Sequence, residues 1–179
     1  MKHFLQACLC LMMVSLWASA QEKAQQYRSP EVTVSRFSKE LEMLDREREK
    51  LAKNIAIYAG NRVSRENRGK HSLAIARRLL GLSLHLAPKN SVASALDRRL
   101  SDGEIPAKEK TEYGNEIFSE LLLNRGKDLR VGNREDALLS RCLIEIAVIV
   151  NPKNKAAVKA LELQNIQHGA VDWTVFTGR

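Results

Sequence analysis

The chain has 179 residues, 44% of them hydrophobic, with 29 Lys and Arg against 21 Asp and Glu and a formal net charge of +8. That length supports one well-packed domain, and three cysteines are too few for a disulfide-stapled mini-domain. A basic excess of this size points toward anionic lipid headgroups, acidic glycans or acidic proteins as contacts.

In chain order, the first segment is MKHFLQACLCLMMVSLWASA. A short basic start (Lys2, His3), an apolar run from Phe4 to Trp17 and the small residues Ala18-Ser19-Ala20 predict a secretory signal peptide over residues 1–20. The apolar run is shorter than the roughly 20 residues a membrane-spanning helix needs. Leu5 to Cys8 loosely resembles a lipobox, but the apolar segment follows that cysteine instead of preceding it. Cleavage after Ala20 removes twenty of the 179 residues and leaves 159, with Cys142 as the single thiol. A lone cysteine makes no internal disulfide and here reads as a small buried hydrophobe. No later stretch is apolar enough to span a bilayer, so the cleaved chain is not expected to be an integral membrane protein. The expected location is outside the cytoplasm, in the periplasm or extracellular space of a bacterium. The lack of any Asn-x-Ser/Thr sequon agrees with a bacterial source. Nucleic acid is a poor partner for that compartment.

Residues 21–29 read as a flexible lead-in, followed by a helical domain over 30–168 and a distinct tail over 169–179. Ser29, Pro30 and Glu31 carry the signs of a helix start: a cap, a first-turn proline and an acid at the positive end of the dipole. Phe37, Leu41, Leu44, Leu51, Ile55 and Tyr58 follow at steps of three, four and seven, with Arg48 in the one missing position, before Gly60-Asn61 ends the run. A helix this long with a nearly heptad stripe raises the alternative of a self-associating structural envelope protein using it as a coiled coil. Residues 61–71, NRVSRENRGKH, form a basic loop without aromatics for stacking on bases.

The next helix is predicted over His71 to Leu86 and is apolar on most sides. A short amphipathic piece follows from Ser91 to Leu100. A third long helix is predicted from Pro106 to Asn124, with a stripe of Tyr113, Ile117 and Leu121 widened by Phe118 and Leu122, and with Gly126 following its end. A fourth runs from Glu135 to Val150 with Asn133 as its cap, and a last amphipathic piece covers Lys155 to Ile166. Leu82-Leu84-Leu86 and the β-branched run IAVIV admit a strand reading. The runs are too long for it, and alanines favour helix.

Two stretches share a phrase. LHLAPKN (Leu84 to Asn90) and VIVNPKN (Val148 to Asn154) lie 64 residues apart. At that offset Leu80 falls on Ile144, Leu82 on Ile146 and Leu86 on Val150, and Pro-Lys-Asn falls on itself. Each copy follows a long helix and an Asn-Arg pair. The chain therefore repeats a unit of long helix, loop, buried helix, Pro-Lys-Asn turn and short helix, over about 30–100 and 106–166. NRGK also occurs twice, at Asn67 and Asn124, but out of this register, and reads as turn chemistry.

Ala76, Leu80, Ser83 and Pro88, and again Ser140, Ile144, Ala147 and Pro152, resemble the second helix and closing turn of a tetratricopeptide repeat (TPR). The aromatic and Leu-Gly signature of that family's first helix is absent, and the paired helices are separated by longer loops. The resemblance implies an all-α fold of antiparallel helical hairpins, stacked as a short TPR-like α-solenoid or bundle of about six helices. It also implies a non-enzymatic protein–protein interaction module, a scaffold or adaptor in the cell envelope, with a protein or peptide partner and an anionic envelope surface as a further candidate contact. On that analogy the groove is lined from the first helix of each pair, which selects Asn61, Arg62, Asn124 and Arg125 as partner-binding candidates. In the tail, HGAVDWTVFTGR, Trp173 and Phe176 either cap the array or form an extended docking segment.

No catalytic pattern accompanies these features. His71, His85 and His168 are far apart in sequence, no Cys or carboxylate stands at metal-ligand spacing, and no hydrolase or zinc motif occurs. No cofactor is expected.

Overall fold

The structure, a computed structural model, describes residues 27–63 and 69–178. The expected signal peptide and Arg65 and Arg68 of the basic loop lie outside these residues. Among the described residues there are seven helices and no strand: α1 Asp45–Arg62, α2 Lys70–Leu86, α3 Ser91–Ser101, α4 Asn115–Leu129, α5 Arg134–Val150, α6 Lys155–His168 and α7 Thr174–Thr177. None of them is long and apolar enough to cross a membrane.

The doubled Pro-Lys-Asn turn is built the same way in both places. Asn90 Oδ1 accepts the Ala93 N–H at 2.9 Å, and Asn154 Oδ1 accepts the Ala157 N–H at 3.1 Å. Each thereby caps the short helix that follows. The backbone N–H of each of these asparagines returns to the carbonyl three residues back, Ala87 at 2.9 Å and Asn151 at 3.0 Å. The α2 and α5 spans agree with their sequence expectations to within a residue, and α5 opens with a capping box between Asn133 and Asp136.

Two long helices start later than their sequence suggests. Ser29-Pro30-Glu31 opens no helix. Residues 27–44 instead form an irregular strap of turns and bends, and α1 begins at Asp45. Val32, Thr33 and Val34 are β-branched, and the hydroxyls of Ser35 and Ser38 accept the backbone N–H groups of Phe37 and Glu40, which competes with helix formation. Arg48, the gap in the apolar stripe, is buried because it binds this strap: Nε donates to Met43 O and Nη2 to Leu41 O, both at 3.1 Å. Leu44, expected in the stripe, is 79% exposed. Of the remaining positions on α1, Ile55 and Tyr58 are buried and Leu51 is half-buried.

The helix expected from Pro106 begins only at Asn115, after a loop that buries Pro106. Its inward face is Phe118, Leu122, Leu123 and Leu129, whereas Ile117 and Leu121 are 57% and 45% exposed. Gly126 lies inside α4 and does not end it. A Cβ there would stand 2.9 Å from Ile144 Cγ1, so the glycine permits close approach of α5. Ser140 Oγ donates to the Gly126 carbonyl at the crossing.

α1 packs along α2, and α4 along α5; α3 leans on α1 and α2, α6 on α5, and α7 on α2. One hydrophobic cluster runs through both units. Polar ties cross between them: Tyr58 Oη donates to Ile149 O at 3.0 Å, and Arg78 lies 3.9 Å from Glu145. The strap stitches the units together. Tyr27 Oη donates to Asp97 on α3, the Ser38 N–H to Glu135 and the Glu42 N–H to Asp136, each at 2.7 Å. Burial, reinforced by the hydrogen bond to Asp97, pushes the Tyr27 phenol well above its ordinary value.

The tail folds back as a cap. It forms α7 and not an extended segment, and Trp173 and Phe176 are 6% and 0% exposed. The Phe176 ring sits 5.9 Å from Phe37, 5.8 Å from Trp173 and 5.6 Å from His85. Burial of a side chain that size contributes about 2–3 kcal/mol. Arg77 donates to Thr177 O at 2.7 Å, and Trp173 Nε1 to Glu145 at 2.8 Å. Trp173 and Phe176, the docking candidates of the tail, both lie in the core.

Candidate functional site

The two units are alike in sequence but differently filled. In the first, α3 turns Ala93, Leu96 and Leu100 inward, and all three are buried. Leu96 reaches α1, where a Cβ on Gly60 would stand 2.9 Å from Leu96 Cδ2. The gap between the long helix and the short helix is therefore shut by leucine.

The repeat offset sets Ala157, Ala160 and Gln164 of α6 against those three residues. Ala157 is buried like its counterpart, but Ala160 lacks the isobutyl group and Gln164 replaces a leucine with an amide. Val92 similarly becomes Ala156. As a result α6 stands off α4, and a cleft of about 970 Å³ remains open beside α5. That is near the upper end for small-ligand pockets. Ala137, Leu138 and Ile144 of α5 line its apolar floor, and Ala156, Ala160 and Leu163 of α6 line one wall. Leu163 is 50% exposed.

The rim is cationic. Lys127 and Arg130 come from the end of α4, Arg134 from the start of α5 and Lys159 from α6. All four are exposed, and none forms an ion pair among the described residues. Two further arginines hold the frame. Arg141 Nη2 donates to the carbonyls of His168, Gly169 and Ala170 at 3.3, 2.9 and 3.2 Å, and Arg36 Nε donates to Val175 O at 3.2 Å. The one acid in the lining among the described residues, Glu135, already accepts hydrogen bonds from the Ser38 N–H and Oγ. Inside the cleft Gln164 is 6% exposed; its amide donates to Arg141 O at 3.2 Å, and its Oε1 is buried without a donor.

The residues chosen from sequence do not assemble into one site. Asn61 binds the loop before α4 through paired hydrogen bonds to the Glu109 backbone at 2.9 and 2.8 Å. Arg62 donates to Tyr58 Oη at 3.3 Å. Both act as structural ties. Asn124 and Arg125 line a smaller hollow of about 320 Å³ between α1 and α4, with Leu51, Tyr113 and Leu121. There Arg125 Nε pairs with Glu47 at 2.7 Å and Nη2 donates to Glu42 O at 2.6 Å, so its charge is occupied. Lys50 and Glu112 pair at 2.7 Å at the other end. Hydrogen bonds from Lys50, then Tyr113, hold the Glu112 carboxyl down to about 2, while the same pairing raises the Lys50 ammonium.

The open cleft had a legible signal in the sequence. Aligning the short helices at the repeat offset exposes the Leu96/Ala160 and Leu100/Gln164 exchanges, which mark where the second unit is underfilled. No three His, Cys, Asp or Glu side chains among the described residues are grouped to hold a metal ion. Cys142 is fully buried, and burial, then the Glu145 charge, pushes its thiol far above the usual range, which suppresses the nucleophilic thiolate. No family model matches this sequence, and no curated protein or solved structure matches it.

Proposed function

We propose that this chain is an exported, non-enzymatic interaction module of the bacterial cell envelope, a TPR-like scaffold or adaptor whose contact surface is the cleft beside α5. The observation that carries the reading is the combination of four unpaired cations around an apolar floor, at the place where the other unit is closed by leucine. Apolar area with a charged rim is the anatomy of a recognition surface. The basic start, apolar run and Ala-Ser-Ala of residues 1–20 support export.

Two measurements test this. Mass spectrometry of the protein recovered from a periplasmic fraction should find Gln21 as its first residue; retention of residues 1–20 in a cytoplasmic fraction would reject export. Lys127→Glu/Arg130→Glu should remove partners captured from envelope extract, whereas Arg62→Ala should not. Equal capture by the charge-reversed protein would dismiss the cleft as the contact surface.

A further inference from the structure

The cleft combines a cationic rim with an apolar floor, and the two together restrict what can occupy it. The unpaired Lys127, Arg130, Arg134 and Lys159 ask for negative charge at the mouth. Leu163, half exposed at the wall, offers apolar contact.

We infer that the cleft binds an acidic peptide segment of a partner protein, with Asp and Glu side chains at the cationic rim and an apolar side chain against Leu163. A peptide carries both features within a few residues. The inference rests on the interaction-module reading and specifies its partner.

The test uses the chain from Gln21 to Arg179 and a short fluorescein-labelled peptide of Asp, Glu and Leu, read by fluorescence anisotropy. Parallel arms use the same peptide with Asn and Gln in place of the acids, and vesicles of phosphatidylglycerol. The acidic peptide should bind, and added salt should weaken it. Lys127→Glu/Arg130→Glu should lower its affinity about tenfold or more. Ala160→Leu and Gln164→Leu install the residues that close the first unit; each should keep the helical circular dichroism and lose about tenfold in affinity. Equal binding of the neutral peptide would overturn the inference. So would unchanged affinity in folded Gln164→Leu, or vesicle binding without peptide binding. If no peptide binds while charge reversal still abolishes capture from envelope extract, the acidic-peptide assignment falls and the interaction module stands.

Discussion

Acid should weaken this fold through one histidine more than through its surface. His85 lies on α2 with 2% of its area exposed, edge-on to Phe176, with Nδ1 accepting the Arg36 N–H at 3.2 Å and Nε2 unpartnered. Burial, and then the Arg36 guanidinium, lowers its pKa from 6.5 to about 4. Above pH 6.5 the ring is neutral in both folded and unfolded chains and contributes no pH dependence. Between pH 6.5 and 4 the unfolded chain takes up a proton that the folded chain refuses, so stability falls as the pH falls. At about 1.36 kcal/mol per pH unit across that window, the loss reaches about 3 kcal/mol. The assay is urea unfolding at several pH values from 7.5 to 4.5. The comparison is His85→Asn, whose carbonyl replaces Nδ1 as acceptor and does not titrate. The variant should be less stable at pH 7.5, having lost the contact with Phe176, but the gap should narrow steadily toward pH 4.5. Two parallel curves would show that His85 is not charged differently in the folded state, and would refute the burial argument.

The remaining predictions concern the cap and the turns. Gly81→Val should release α7, because a Cβ at Gly81 would meet Phe176 O at 2.5 Å and Pro30 Cβ at 3.3 Å. A backbone oxygen cannot rotate away, so a loss of about 2 kcal/mol and a red shift of Trp173 fluorescence are expected; native fluorescence would mean the tail has more room than its packing indicates. Asn154→Ala should lower stability by about 1–2 kcal/mol, losing the cap and the amide's hydrogen bond to Ser119 Oγ at 2.9 Å. Asn90→Ala should lower it more, because Asn90 is 1% exposed whereas Asn154 is half-buried, and its amide donates to the Glu49 carboxylate at 2.8 Å. Chemical denaturation of the pair decides this, and equal losses would contradict the burial difference.

How much of this was legible in sequence differs by element. The Pro-Lys-Asn turns were readable because proline and asparagine act locally: one removes a donor, the other supplies a cap. The helices α2 and α5 were readable because a long apolar run bounded by such turns leaves few alternatives. The starts of α1 and α4 were not. Ser29-Pro30-Glu31 satisfies the local rules for a helix N-terminus, yet Tyr27 and Ser29 bond to Asp97 on α3, 68 to 70 residues away, and draw the segment into a strap. Pro106 likewise suits a first turn but is buried in the loop anchored by Asn61. Contacts at that separation leave no periodic mark. Trp173 and Phe176 could not be placed by pattern either, because an apolar tail reads alike whether it covers its own core or another's. For the cleft, the information was present as two substitutions between repeats, Leu96 to Ala160 and Leu100 to Gln164, which acquire meaning only once α3 and α6 are known to occupy equivalent positions.

The strap also connects stability with the cleft, through Asp136. Its Oδ1 accepts the Glu42 N–H of the strap at 2.7 Å, and its Oδ2 accepts the Asn133 N–H at 3.0 Å, with 1% of the residue exposed. Asp136→Asn keeps the shape but offers an amide where one of these donors requires an acceptor. If Asp136 serves only the helix cap, the loss should match the roughly 1 kcal/mol of a lost cap alone. If it also holds the strap, the loss should approach about 3 kcal/mol, because a buried donor is left unpaired in addition. The strap carries two residues that shape the cleft: Arg36 at its lining, and Ser38, whose N–H and Oγ engage the Glu135 carboxylate in that lining. Loosening the strap frees that carboxylate and withdraws a positive charge from the mouth. Asp136→Asn should therefore show faster proteolysis after Arg36 and Lys39, together with weaker binding of the acidic peptide, although Asp136 does not line the cleft. Faster cleavage with unchanged affinity would separate the strap from recognition. A loss limited to that of the cap, with no change in cleavage, would show that strap and bundle are not coupled through this residue.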